Sequence, residues 1–163
     1  MTTALFWFRK DLRLKDNLAW TKACESHRIH PVFILEPELI SNSGPYRRQQ
    51  FFSNVSALAA EIKSIGGELS IIQGPARDVL ARYIRENNID CIYFNADTTP
   101  FSRQRDEQIA KDISVPINTF WSGLVHPPET VLTQKGEISK VFTPFYKKWV
   151  TLPAPPSVED SQP

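Results

Sequence analysis

Charged and amide side chains stand at the ends of several apolar runs in this sequence. Residues 9–17 (RKDLRLKDN) follow the first run, Glu36 closes the second, and Asn95 and Asp97 come at the end of the fourth. Carboxylates and amides can accept hydrogen bonds from a ligand, and cations can hold its anionic groups. Because charges beside buried strands are costly unless they pair or meet a ligand, this pattern predicts a polar pocket.

Five short apolar runs would position these side chains. Each has the length of a strand and is rich in β-branched or aromatic residues. Each is also nearly continuous rather than alternating, which is typical of strands buried on both faces. The runs are Ala4–Phe8, Pro31–Glu36, Glu68–Gln73, Asp90–Asn95 and Pro116–Trp121.

Helical patterns separate the runs. The clearest covers Arg47–Ile65, where apolar residues recur every three or four positions before Gly66 and Gly67 end the pattern. Shorter patterns cover Asp16–Ser26, Ala76–Glu86 and Ser102–Asp112. This alternation predicts an α/β fold: a Rossmann-like, doubly wound sheet of about five parallel strands with helices on both faces. In such sheets ligands bind at the carboxyl ends of the strands, where the strand order reverses.

The pattern changes after residue 121. Thr130–Thr133 and Ile138–Phe142 flank a turn at residues 134–137 and predict a short hairpin, and Pro144–Val150 predicts a helical turn. Residues 151–163 (TLPAPPSVEDSQP) are rich in proline and almost without apolar side chains. We therefore expect one domain at 1–150 and a linker at 151–163 leading towards a further domain.

Several chemistries are disfavoured by composition and motif. A net charge of +1 provides no global field towards DNA or an anionic membrane. The glycines form neither GxGxxG nor GxxxxGK[ST], and no GxSxG is present. Cys24 and Cys91 are predicted to be buried free thiols, and no metal site is expected. With no signal segment and no apolar run near 20 residues, we expect a soluble, cytoplasmic protein.

Four segments carry a resemblance to a known family. Residues 7–17 (WFRKDLRLKDN) resemble the WFRxDLRxxDN signature of DNA photolyases and cryptochromes. Residues 44–52 (GPYRRQQFF) are similar to the entry into that family's long second helix. Residues 95–106 (NADTTPFSRQRD) resemble its NxDxxPxxxxRD loop, and residues 140–149 (KVFTPFYKKW) resemble its KVFTPFxxxW segment.

The resemblance implies the N-terminal α/β domain of this family, which carries a light-harvesting antenna chromophore. A following helical domain, absent here, binds FAD and the flipped lesion. The implied function is antenna binding within a deoxyribodipyrimidine photolyase, a light-driven lyase that repairs pyrimidine dimers in DNA. On this interpretation the chain has no catalytic residue, and it meets DNA only within the full-length protein. Two alternatives stay open: the same domain of a cryptochrome blue-light receptor, and a freestanding nucleotide-binding module.

The resemblance also implies where the chromophore lies. Phe8 and Phe51 would form flat walls, Asp97 or Glu36 would accept ring N–H groups, and Arg47 or Arg103 would hold an anionic tail. The full set of expected site residues is Phe8, Arg9, Asp11, Glu36, Arg47, Phe51, Asn95, Asp97 and Arg103. The expected chromophore is 8-hydroxy-5-deazaflavin first, FMN second and methenyltetrahydrofolate third, because Ala96 follows Asn95 where some folate-binding members carry Glu. A site without chromophore is a further alternative.

Some of the matched residues have structural interpretations. The first loop could be solvated and self-paired, with Arg13 bound to Asp16, and with Asp16 or Asn17 capping the next helix. Trp7 is predicted to lie in the core. Asp106 is expected to favour the dipole of its helix. Phe145 and Trp149 are expected to pack the last helical turn onto the sheet.

Overall fold

The computed structural model describes residues 1–41, 43–133 and 135–154. Residues 155–163 of the predicted linker therefore lie outside the described residues, as does Gln134 of the predicted turn. The division into a domain at 1–150 and a linker beyond it stays a prediction.

A single parallel sheet organises the described chain. Its strands are β1 (Thr3–Phe8), β2 (Arg28–Leu35), β3 (Ser70–Gln73), β4 (Cys91–Asn95) and β5 (Ile117–Phe120). Their order in the sheet is β3-β2-β1-β4-β5. Every pairing is parallel. The chain builds the sheet outwards from β1 in one direction and then returns to add β4 on the other side of β1. The strand order therefore reverses between β1 and β4, as the doubly wound prediction requires.

The described residues also form six α-helices. They are α1 (Leu18–Ala23), α2 (Pro37–Ser41), α3 (Pro45–Ser64), α4 (Ala76–Asn87), α5 (Pro100–Asp112) and α6 (Phe142–Trp149). The four predicted helices correspond to α1, α3, α4 and α5. The sequence pattern missed α2, because five residues are too few to show a helical period.

The core has two halves, one on each face of the sheet. Successive residues of β1 alternate between them: Leu5 and Trp7 face α4 and α5, whereas Phe6 and Phe8 face α1 and α3. Trp7 is almost fully buried, which confirms its predicted core position. The predicted stripe of α3 packs on the second half, with Val55, Leu58 and Ile62 buried and Phe51 and Ile65 partly buried.

The two edge strands depart from the prediction that all strands are buried on both faces. Only β1, β2 and β4 have long runs of buried residues, whereas β3 alternates between half-buried and exposed positions. Ile71 of β3 is 52% exposed. An edge strand has a neighbour on one side only, so an apolar run does not by itself reveal whether the strand is central.

The segment after β5 packs on itself rather than on the sheet. Where the structure describes this segment, an antiparallel bridge joins Leu132 to Ile138 in place of the predicted hairpin strands. Helix α6 buries none of its residues. Its Trp149 lies 5.7 Å from the ring of His126 and 6.5 Å from that of Tyr146, measured between ring centroids. Neither Phe145 nor Trp149 belongs to either half of the core, so the expectation that this turn packs onto the sheet was wrong, and the ring contacts of Trp149 are with His126 and Tyr146 instead.

Candidate ligand-binding site

A cavity of about 690 Å³ opens at the carboxyl end of the sheet. Its floor comes from the ends of β1 and β2, and its sides come from α2, the start of α3 and the start of α5. It lies beside the place where the strand order reverses, which is where open α/β sheets bind ligands. The lining residues used below are Trp7, Phe8, Arg9, Lys10, Phe33, Glu36, Arg47, Arg48, Phe51, Phe52, Asp97, Thr99, Phe101, Ser102 and Arg105.

Arg9 is held by a carboxylate from a distant helix. Its Nη1 donates to both carboxylate oxygens of Asp106, at 2.6 and 2.8 Å, and its Nη2 donates to the Asn95 carbonyl at 2.8 Å. The guanidinium also lies over the rings of Trp7 and Phe94, and only 7% of the side chain is exposed. Asp106 was expected to serve its helix dipole. Its main partner is instead Arg9, because α5 brings it back over the strand ends.

Arg105, which is not among the predicted site residues, is a second largely buried cation of the site. Its Nη1 donates to Glu36 Oε1 at 2.6 Å. Its guanidinium lies 4.6 Å from the Trp7 ring and 5.6 Å from the Phe101 ring. Residue 105 belongs to the RD pair of the matched 95–106 segment, and that pair was the signal available. The two buried cations of the cavity are thus both neutralised by carboxylates of the protein.

Asp97 anchors the loop between β4 and α5. Its carboxylate accepts hydrogen bonds from Lys10 Nζ (2.6 Å), the Thr99 backbone N–H (3.2 Å) and the Ser102 hydroxyl (3.1 Å). Burial by itself raises the pKa of Asp97. The hydrogen bonds from Lys10, Thr99 and Ser102, together with the positive charge of Lys10, outweigh burial and lower that pKa to about 2.

Asn95 joins the first loop to the end of β4. Its side-chain amide nitrogen donates to the carboxylate of Asp11 and to Asn17 Oδ1. Asn17 Oδ1 also accepts from the Trp20 backbone N–H and so caps α1, as predicted. These residues hold the loop from behind the cavity. The predicted contact between Arg13 and Asp16 is present as well, at 3.7 Å.

The structure brings six of the nine expected site residues to the cavity: Phe8, Arg9, Glu36, Arg47, Phe51 and Asp97. Asp11 and Asn95 bond to each other and do not line it. Arg103 is exposed on α5 and does not line it. Arg103 and Arg105 are two positions apart, so they lie on nearly opposite sides of the helix and only one can face inward.

The cavity suits a flat aromatic ligand with an anionic end. Phe33 and Phe51 pack with ring centroids 5.5 Å apart, and Phe52 continues the row 5.8 Å from Phe51. Arg47 and Arg48 are exposed at the mouth, in the first turn of α3, and neither has an ion-pair partner among the described residues. The interior thus provides apolar walls and internally paired charges, while free positive charge stands at the entrance.

Within the described residues, no group of three or more His, Cys, Asp or Glu side chains could hold a metal ion. No helix in the same part of the chain combines the length and the apolar character needed to cross a membrane.

Comparison with known proteins gives the family. The model of the DNA photolyase family matches residues 4–160. The deoxyribodipyrimidine photo-lyase of Alkalihalophilus pseudofirmus is 35% identical over 88% of this chain and 32% of its own length. Cryptochrome DASH of Gloeobacter violaceus is 26% identical over 90% of this chain and 31% of its own length.

A solved structure of a family member supports the same family assignment. The archaeal photolyase from Sulfolobus tokodaii matches with a TM-score of 0.81 and 29% identity, covering 94% of this chain and 36% of that chain. This chain spans about a third of the length of each of these relatives. Together with the parallel five-stranded sheet and the four matched segments, the comparisons show that the chain belongs to the DNA photolyase family and corresponds to its N-terminal α/β domain.

Proposed function

We propose that this chain is the antenna-binding domain of a deoxyribodipyrimidine photolyase. The observation that carries the proposal is the aromatic-walled cavity at the switch point of the sheet, whose buried cations are already paired within the protein. A cavity of about 690 Å³ has the size of a small-molecule site. When bound, an antenna chromophore absorbs light and passes the excitation energy to the FAD of the rest of the protein.

The residues of this chain would bind and orient the chromophore. Phe8 and Phe51 lie on the cavity wall and offer flat apolar surface to a ring system. Arg47, at the mouth, is in position for an anionic tail, whereas Arg103, the other candidate, faces away. Arg9, Glu36 and Arg105 keep the floor rigid through their ion pairs.

The chemical type of the chromophore belongs to the proposal. The Sulfolobus tokodaii photolyase is described with two FAD molecules, which implies a novel light-harvesting cofactor in that protein. A flavin-type ring therefore occupies two places in a relative with the same fold. This supports 8-hydroxy-5-deazaflavin or FMN for this chain and leaves methenyltetrahydrofolate third.

We propose that DNA repair belongs to the part of the photolyase length that this chain does not span. We propose that the full-length enzyme is a light-driven lyase, that its FAD and DNA are bound beyond this domain, and that it acts in the cytoplasm. The match to cryptochrome DASH keeps a blue-light receptor as the second candidate. A freestanding nucleotide-binding module is less well supported, because no glycine-rich phosphate loop is present.

The test is a titration of the purified chain with 8-hydroxy-5-deazaflavin, FMN and methenyltetrahydrofolate, followed by absorption and chromophore fluorescence. We expect saturable binding of one of them. Phe51→Ala should weaken that binding by about tenfold, because the variant loses a wall of the cavity. Tyr46→Ala is the matched control, since Tyr46 lies on the same helix, is exposed and does not line the cavity.

Thermal unfolding of both variants, followed by circular dichroism, separates loss of binding from loss of fold. Failure of all three chromophores to bind the folded chain would contradict the proposal. Equal weakening by Tyr46→Ala would show that the ligand lies elsewhere.

A further inference from the structure

Glu36 and Asp97 are both carboxylates of the cavity, but their hydrogen bonding differs. Both oxygens of Asp97 accept hydrogen bonds, Oδ1 from Lys10 and Thr99 and Oδ2 from Ser102. Glu36 accepts only at Oε1, from Arg105. Its Oε2 has no hydrogen-bond donor among the described residues, and it is not one of the buried polar atoms left without a partner. A solvent-accessible carboxylate oxygen on a side chain that lines the cavity is therefore ready to accept from a ligand.

Arg105 adds donors beside this acceptor. A guanidinium has five N–H groups. Three of them take part in the contacts to Glu36 and Asp106, through Nη1, Nε and Nη2. Two N–H groups thus have no partner among the described residues. The ion pair to Glu36 and the rings of Trp7 and Phe101 fix the guanidinium in place. The cavity therefore presents a fixed acceptor and a fixed donor side by side.

We propose that Glu36 and Arg105 recognise the pyrimidinedione edge of the chromophore, the edge that flavins and 5-deazaflavins share. That edge places a ring N–H between two carbonyl groups. Glu36 Oε2 accepts from the ring N–H, and a guanidinium N–H of Arg105 donates to a neighbouring carbonyl. This assignment rests on the proposed antenna function. It gives the recognition role to Glu36 rather than to Asp97, whose oxygens hold the loop before α5.

The same pair disfavours a pterin ring. The pterin of methenyltetrahydrofolate has an amino group next to its ring nitrogen, and a carboxylate recognises this edge best with both of its oxygens. One oxygen of Glu36 is already bonded to Arg105 at 2.6 Å. If the amino group lies beside Arg105, two donors face each other; if the pterin carbonyl lies there instead, the amino group finds no acceptor on this pair. The pair therefore satisfies a ring edge with one donor flanked by acceptors more completely than a pterin edge.

Methylation of the ring nitrogen gives a direct test on the intact chain. The probes are lumiflavin and 3-methyllumiflavin, which differ only in whether the ring N–H is present. Hydrogen bonds to charged groups contribute about 1.5–3 kcal/mol. We therefore expect 3-methyllumiflavin to bind about ten to a hundred times more weakly, measured by fluorescence titration. Equal affinity for the two probes would overturn the assignment while leaving antenna binding intact.

Two variants assign the acceptor. Glu36→Gln should weaken the binding of lumiflavin and leave the binding of 3-methyllumiflavin nearly unchanged. The ratio of the dissociation constant of 3-methyllumiflavin to that of lumiflavin should therefore fall. Asp97→Asn is the matched control and should preserve that ratio. A ratio that falls in Asp97→Asn but not in Glu36→Gln would assign the acceptor to Asp97 and overturn the inference. If neither probe, FMN nor the deazaflavin binds the folded chain, the proposed function and this inference fail together.

Discussion

The pKa of the Asp97 carboxyl group is strongly lowered by its surroundings in the site. Its pKa is lowered to about 2, against the raising effect of burial, by hydrogen bonds from Lys10, Thr99 and Ser102. A carboxyl whose pKa is lower in the folded state stabilises the fold above its unfolded pKa, near 4. That stabilisation is lost as the pH falls from about 4 to about 2. Its size is on the order of 2 kcal/mol.

Asp97→Asn should therefore flatten the acid limb of the stability curve. The free energy of unfolding, measured by urea titration, should fall less between pH 4 and pH 2 in the variant than in the original chain. At pH 7 the variant should be less stable, because the ionised partner of Lys10 is gone. An unchanged acid limb would contradict the assigned hydrogen bonds. The comparison needs no ligand, so it tests the structure independently of the proposed function.

At the residue scale, the sequence predicted several site residues but not all of their contacts. Glu36 and Asp97 were predicted because each stands at the carboxyl end of a strand, which parallel topology brings to one edge. Asn95 and Asp11 were predicted too, but they bond to each other across 84 positions, and no local pattern reports such a pairing. Arg105 was missed because its role depends on which side of α5 faces the cavity.

At the scale of the element, helix α1 depends on a single polar residue at its start. Asn17 is fully buried, caps the helix through Trp20 and accepts from Asn95. Asn17→Ala should lower the free energy of unfolding by at least 1 kcal/mol, because the cap and the bond to β4 are both lost. Asn17→Ser should recover part of the loss, since serine can cap the helix. Chemical denaturation of both variants gives the measurement, and equal losses would show that capping contributes nothing.

The elements themselves were largely predictable because apolar runs of strand length alternate with helical patterns. The central strands and four helices follow from this alternation. The burial of β3 and β5 was overestimated, since an apolar run does not show whether its strand is at an edge. Helix α6 was expected on the sheet, but Trp149 contacts His126 of the preceding loop while Phe142 and Tyr146 stay exposed, and only tertiary structure shows this.

At the scale of the whole molecule, the last part of the chain has an apolar surface. Phe142 is 74% exposed, and Val141, Tyr146 and Val150 nearby are also exposed. Surfaces of this kind favour self-association when no partner covers them. Phe142→Glu should therefore reduce association at high protein concentration, measured by sedimentation velocity. Tyr46→Glu is the matched control, because Tyr46 is exposed on a different part of the surface.

Both variants should keep the thermal stability of the original chain, since neither side chain is buried. A chain that stays monomeric at every concentration would contradict the prediction, and so would an equal effect of Tyr46→Glu. Chromophore binding should not change in Phe142→Glu, because Phe142 does not line the cavity. The association surface and the ligand site are thus separable in one set of samples.

Trp7 has an optical consequence. Of the four tryptophans, Trp7 is the one whose side chain lines the cavity, and the guanidiniums of Arg9 and Arg105 lie against its ring. A conjugated ligand bound there would stand within a few ångströms of an indole that emits in the near ultraviolet. Part of the excitation energy of the indole would be transferred to the ligand. The intrinsic tryptophan fluorescence should therefore decrease in proportion to the fraction of cavities that are occupied.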